Sequence, residues 1–149
     1  MAQSAVEKEG RLFFVGNGGR AASSSHMAID WSKAGKMPSL TLTDNAAMTA
    51  CANDAGYENV FSTQLAYLAK PCDLLIAISS SGESANILNA CAKMHELGGT
   101  VISLSGFREE NSLSKVGDLN FYINSDAYGF VEVGHLALCH AVLDYIVSR

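Results

Sequence analysis

Short apolar runs alternate along the chain with longer stretches whose apolar positions recur every three or four residues. Residues 11–15 (RLFFV) form the first run and end at a glycine turn. Residues 39–43 (SLTLT), 73–78 (DLLIAI), 100–104 (TVISL) and 119–123 (LNFYI) follow. Runs this short and this apolar read as strands, and those without polar alternation as strands covered on both faces. Helical spacing falls between them, over 23–34, 46–53, 60–69, 84–97 and 131–147, with a short helix at 113–116. Asp54-Ala55-Gly56 separates the second helix from the third, and Gly98-Gly99 is a stop signal for the fourth. Strands that alternate with helices imply right-handed crossovers and a parallel sheet. The pattern therefore predicts a doubly wound α/β domain, a mainly parallel five-stranded sheet flanked by helices. Ligands of such sheets bind outside the carboxyl ends of the strands. The residues just after Val15, Thr43, Ile78 and Leu104 are thus expected to line the site.

Composition narrows this picture. The 149 residues are 48% hydrophobic and 17% charged, enough apolar material for one domain with a real core. A net charge of -5 disfavours a broad basic face for nucleic acid. No apolar run approaches the roughly 18 to 20 residues that span a bilayer, so no membrane partner is expected. The start, MAQSAVEKEGRLFF, lacks the basic-then-apolar order of a signal peptide. Cys51, Cys72, Cys91 and Cys139 form no C-x-x-C pair and read as buried free thiols of a reducing, cytoplasmic compartment.

Two strand-end loops carry candidate chemistry. After the first strand, Gly16-Asn17-Gly18-Gly19-Arg20 opens a helix, so backbone N–H groups face a ligand that can approach closely. The segment is neither G-x-G-x-x-G in register nor a phosphate-binding loop ending in Gly-Lys-Ser/Thr, and no nucleotide cofactor is expected. After the third strand, Ser79-Ser80-Ser81-Gly82-Glu83-Ser84 brings four hydroxyls to another helix start. One serine would suffice as a helix cap; four with backbone amides suit phosphate. Glu83 fits beside a phosphate only if it points away.

Two helices offer histidine and carboxylate. His26 and Asp30 are four apart and share a face. Glu132 and His140 lie two turns apart and roughly 80° around the last helix, whereas His135 and His140 differ by roughly 140°. Such a set suits zinc or a general acid and base.

Together these segments resemble the SIS (sugar isomerase) domain, a flavodoxin-like three-layer sandwich, and more closely the bacterial phosphoheptose isomerases. GNGGRAASSSHMAID, TACANDAGYENVFSTQL, LLIAISSSGESANIL and YGFVEVGHLALCH carry the resemblance in the family's order. The serine loop is common to SIS domains; 53–58 (NDAGYE) and the Gly-Asn-Gly-Gly…His-x-x-x-acid segment are more specific. The resemblance implies a cytoplasmic enzyme that isomerises sedoheptulose 7-phosphate to the aldoheptose 7-phosphate for surface polysaccharide. It implies phosphate contacts at Ser79, Ser80, Ser81 and Ser84, sugar contacts at Asn17 and Gly18, and an acidic contact at Asp44. It implies proton transfer by Asp30 and His140, and zinc held by His26, Asp30, Glu132 and His140.

Against the family's pattern, Asp30 stands for Glu, Glu132 for Gln, Gly129 for an acid, and Arg20 for a small serine near the substrate. Relatives carry a helical leader that helps build a homotetramer; about ten residues precede Arg11 here, and the whole chain reads as one SIS domain forming a dimer or tetramer. A non-catalytic sugar-phosphate sensor or partner-binding regulator, and an isomerase of another sugar phosphate, remain as alternatives.

Overall fold

The computed structural model describes residues 1–149. Five strands, β1 (Leu12–Gly16), β2 (Ser39–Thr41), β3 (Leu74–Ser79), β4 (Thr100–Gly106) and β5 (Leu119–Ile123), form one sheet in the order β2-β1-β3-β4-β5. Every pairing is parallel. Seven helices connect and cover them: α1 (Ala2–Glu7), α2 (Gly19–Lys33), α3 (Asn45–Ala55), α4 (Val60–Leu68), α5 (Ala85–Glu96), α6 (Ser112–Val116) and α7 (Tyr128–Val147).

Alternate residues of β1 and β3 feed two separate cores. Leu12, Phe14, Leu74, Ile76 and Ile78 pack with Met27 and Trp31 of α2 and Cys139 and Leu143 of α7. Phe13, Val15, Leu75 and Ala77 pack with Phe61 and Leu65 of α4, Ile87 and Met94 of α5, and Leu113 of α6. All five residues of β1 and all six of β3 are buried, which is why neither strand alternates with polar residues. Each fully buried Phe or Leu contributes about 2 kcal/mol of transfer free energy. Asp73, fully buried, ties the two strand starts together by accepting from the Arg11 and Lys70 backbone N–H groups at 2.7 and 2.9 Å.

The structure corrects several expectations. α1 was not predicted: at six residues it is too short to stand alone and forms by burying Ala2 and Ala5. α2 begins at Gly19, four residues earlier than its apolar pattern, because a helix needs no side-chain burial in its first turn. β2 ends at Thr41 and β4 runs on to Gly106. α7 starts at Tyr128, and its twenty residues are long and apolar enough to cross a bilayer, contrary to the reading that no run approaches that length. Here it packs on the domain through Val131, His135, Cys139 and Leu143, one per turn. Of the thiols, Cys91 and Cys139 are buried and desolvation pushes both up to about 12. Cys51 is half-buried and Cys72 is exposed, so the expectation of four buried thiols fails.

Candidate active site

The strand order reverses between β1 and β3, and a crevice opens there at their carboxyl ends. It is open to solvent, offers about 90 Å³ of cavity, and is lined by Asn17, Arg20, Ile78, Ser79, Ser80, Ser81, Ser84 and Tyr128. The loops after β2 and β4 were expected to contribute and do not line it. Asp44, just past β2, instead caps α3: its carboxylate accepts from the Ala47 N–H at 3.0 Å. Gly18 turns the chain into α2 at φ +57°, with open space where a Cβ would stand, so the conformation alone selects glycine.

The serine loop is shaped as an anion cradle. Ser84 occupies the N-cap position of α5, yet its side chain makes no capping bond, so the first amides of the helix lack a side-chain acceptor. Its hydroxyl lies 3.3 Å from that of Ser79, which also accepts from the Gly82 N–H at 3.2 Å. Ser80 is 1% exposed, lines the crevice, and its hydroxyl has no partner. A buried hydroxyl without a partner is costly unless something arrives to bind it. Glu83 does point away: its carboxylate accepts from the Ser112 N–H at 2.9 Å and hydroxyl at 2.7 Å. The Ser112 hydroxyl and N–H hold its pKa below the ordinary value. The loop is thereby tied to the start of α6.

Two residues not foreseen, Asn86 and Tyr57, hold the crevice-lining Asn17 without lining the crevice themselves. Asn17 and Asn86 exchange amide hydrogen bonds at 2.9 and 2.8 Å, and the Tyr57 hydroxyl donates to Asn17 Oδ1 at 3.1 Å. Tyr57 lies within the quoted 53–58 segment, and Asn86 in the first turn after the serines, so proximity to those motifs was the available signal. Tyr128, a third omission, stands over Arg20, whose guanidinium carbon is 5.4 Å from the ring centre.

α2 and α7 lie side by side and bring together residues over a hundred positions apart. His26 Nε2 is 3.1 Å from Asp30 Oδ2, and His140 Nδ1 is 4.0 Å from the same oxygen. The two imidazoles meet edge to face, centres 5.1 Å apart. One ligand atom from each residue lies within 4.8 Å of the others, a spacing from which the three could hold a metal ion. Glu132 is not in this group: its carboxylate pairs with the Arg20 guanidinium. His135 also turns away, buried against the Ser105 carbonyl at 3.0 Å, and desolvation holds its pKa low.

The SIS domain profile matches residues 1–106. The chain belongs to the SIS domain family. Within this family it groups with phosphoheptose isomerases. It is 35% identical to that of Helicobacter pylori strain P12 over 147 residues, covering 95% of this chain and 76% of the relative. It is 36% identical to a probable phosphoheptose isomerase of Thermoplasma volcanium over 145 residues, covering 93% and 74%. The solved structure of the Neisseria gonorrhoeae phosphoheptose isomerase superposes with a TM-score of 0.90 at 32% identity, over 98% of this chain and 80% of that one. That of Francisella tularensis gives 0.89 at 28%, over 99% and 82%.

Proposed function

We propose that this SIS domain protein is an aldose–ketose isomerase that interconverts sedoheptulose 7-phosphate and glycero-manno-heptose 7-phosphate, feeding heptose into bacterial surface polysaccharide. The observation that carries it is the meeting of Asp30 and His140 from separate helices, in a chain that also builds a cation-poor serine cradle. The phosphate seats on Ser79, Ser80, Ser81, Ser84 and the amides at the start of α5, and Arg20 faces it. Asn17, with Gly18 behind it, meets the sugar hydroxyls. Of Asp30 and His140, one takes the proton from C1 or C2 while the other moves the hydroxyl proton, as general acid–base chemistry between two carbons requires. His26 orients the Asp30 carboxylate. Imidazole and carboxylate donors fit zinc, with His26, Asp30 and His140 as its holders. Bound there, zinc would supply Lewis-acid polarisation of the sugar oxygens.

About 15 Å of helix rise separates Arg20, at the crevice, from Asp30, and none of the three residues lines the crevice. This spacing favours a homo-oligomer, a dimer or tetramer, in which neighbouring copies complete one site. The exposed apolar side chains of α7, among them Phe130 and Val133, suit such packing. The cytoplasm, where the sugar phosphate is made, is the expected compartment.

The test is turnover of sedoheptulose 7-phosphate followed by NMR, with added zinc and with chelator, on protein of known oligomeric state. Aldoheptose 7-phosphate should form, and Asp30→Asn and His140→Gln should each stop it without unfolding the chain. Absence of turnover in a folded oligomer would move the reading to another sugar phosphate or to a binding role.

A further inference from the structure

Arg20 is the only charged residue lining the crevice. It is also held. Its Nη1 donates to Glu132 Oε1, its guanidinium carbon lies 5.4 Å from the centre of the Tyr128 ring, and its side chain is 12% exposed. Nε and Nη2 make no hydrogen bond within the protein, so one edge of the guanidinium is committed and the other is free. Glu132 lies close over Gly19: a Cβ there would stand 2.8 Å from Glu132 Oε2, so any side chain at 19 would push the carboxylate aside. The carboxylate is therefore packed against the start of α2, away from the group formed by His26, Asp30 and His140.

We propose that Glu132 is a positioning residue for Arg20, and that the pair sets how tightly the cradle holds a phosphate monoester dianion. The carboxylate does two things at once. It fixes the guanidinium against Tyr128 in the crevice that the serines also line. It also cancels most of the positive charge that the dianion would otherwise meet. The serine hydroxyls and the α5 amides then supply dipoles, and Arg20 supplies an attenuated charge. A cradle of that kind binds its phosphate and releases it, where an unopposed arginine would retain it. This inference rests on the reading that the phosphate seats on the serine loop.

The test titrates inorganic phosphate into the oligomeric wild type, Arg20→Gln, Glu132→Gln and the double variant by calorimetry, with thermal melts as the check on folding. Gln at 132 keeps an oxygen that accepts from Arg20 and drops the charge. Arg20→Gln should weaken phosphate binding about tenfold or more. Glu132→Gln should tighten it about three- to tenfold, a gain that a merely structural role could not produce. In the double variant that gain should vanish, leaving the affinity of Arg20→Gln alone. Arg20→Lys should recover part of the loss. With the sugar phosphate, Glu132→Gln should lower KM without raising kcat. The inference is overturned if Glu132→Gln leaves phosphate affinity unchanged, or if its gain persists without Arg20. It is overturned too if Glu132→Gln weakens zinc binding in a chelator competition while phosphate is unaffected, since Glu132 would then be a metal ligand. Ser80→Ala and Ser84→Ala separate the two levels. If they weaken phosphate binding while the Arg20 and Glu132 variants do not, only the present inference falls. If they too change nothing, the seating on the serine loop falls with it.

Discussion

The serine cradle and the His26–Asp30–His140 group are built by different means. The cradle is backbone work: Ser79 and Ser80 are 5% and 1% exposed, and the loop is fixed by the end of β3, the start of α5 and the Glu83–Ser112 link. The other group consists of side chains on the outer surfaces of two helices, with His26 51% exposed, Asp30 33% and His140 36%. The first is tied at both ends by contacts made within the protein. The second depends on how α7 lies against α2 and on what covers it. An anion that is only held can be met by fixed dipoles, while groups that exchange protons with a substrate need reach and access.

Variants can break that contrast cleanly. The largest effect is expected at the exposed group: Asp30→Asn or His140→Gln should lower kcat about 10²- to 10⁴-fold, with phosphate affinity unchanged in the same preparations. Next, His26→Ala should cost about ten- to a hundredfold in zinc affinity, read by competition with a chromogenic chelator, again without touching phosphate. At the cradle the sign pattern reverses. Ser80→Ala or Ser84→Ala should raise KM for the sugar phosphate about tenfold while kcat moves little, because the lost contact is made equally in ground and transition states. The smallest effect belongs to the link behind the loop. The depressed pKa of Glu83 means that its carboxylate stabilises the folded loop above its ordinary value of 4.5, and that this contribution is lost as pH falls through the lowered value. Glu83→Gln should therefore raise KM only a few-fold and flatten any acid-side rise in phosphate dissociation.

Legibility in the sequence follows the same division. β1 and β3 announce themselves because both faces are covered, leaving RLFFV and DLLIAI almost without polar residues. Their carboxyl ends were expected to line the site and do, whereas the strand order that puts the crevice between these two and leaves out the loops after β2 and β4 is a matter of pairing across the fold. The His26–Asp30 pair is visible at i, i+4 spacing, and the opposite bearings of His135 and His140 are fixed by helical geometry. What could not be read is pairing across the fold. Glu132 falls on Arg20, 112 positions away, rather than beside His140, because α7 runs past the start of α2 at that height. Asp44 caps a helix, a use that its position after a strand does not distinguish from ligand contact. Asn17, Asn86 and Tyr57 meet from three segments with no shared periodicity.

The thiols differ in a way that has a practical consequence. Cys72 is exposed, in the turn just before β3, at the opposite end of that strand from the serines, and holds a left-handed backbone at φ +76°. Cys91 and Cys139 are buried with pKa values of about 12, so alkylating reagents near neutral pH find almost no thiolate there. With Cys51 replaced by Ser, a maleimide dye or spin label would go to Cys72 alone. A reporter attached there sits a full strand length from the serine loop, so it can follow tumbling and any self-association in solution without entering the crevice.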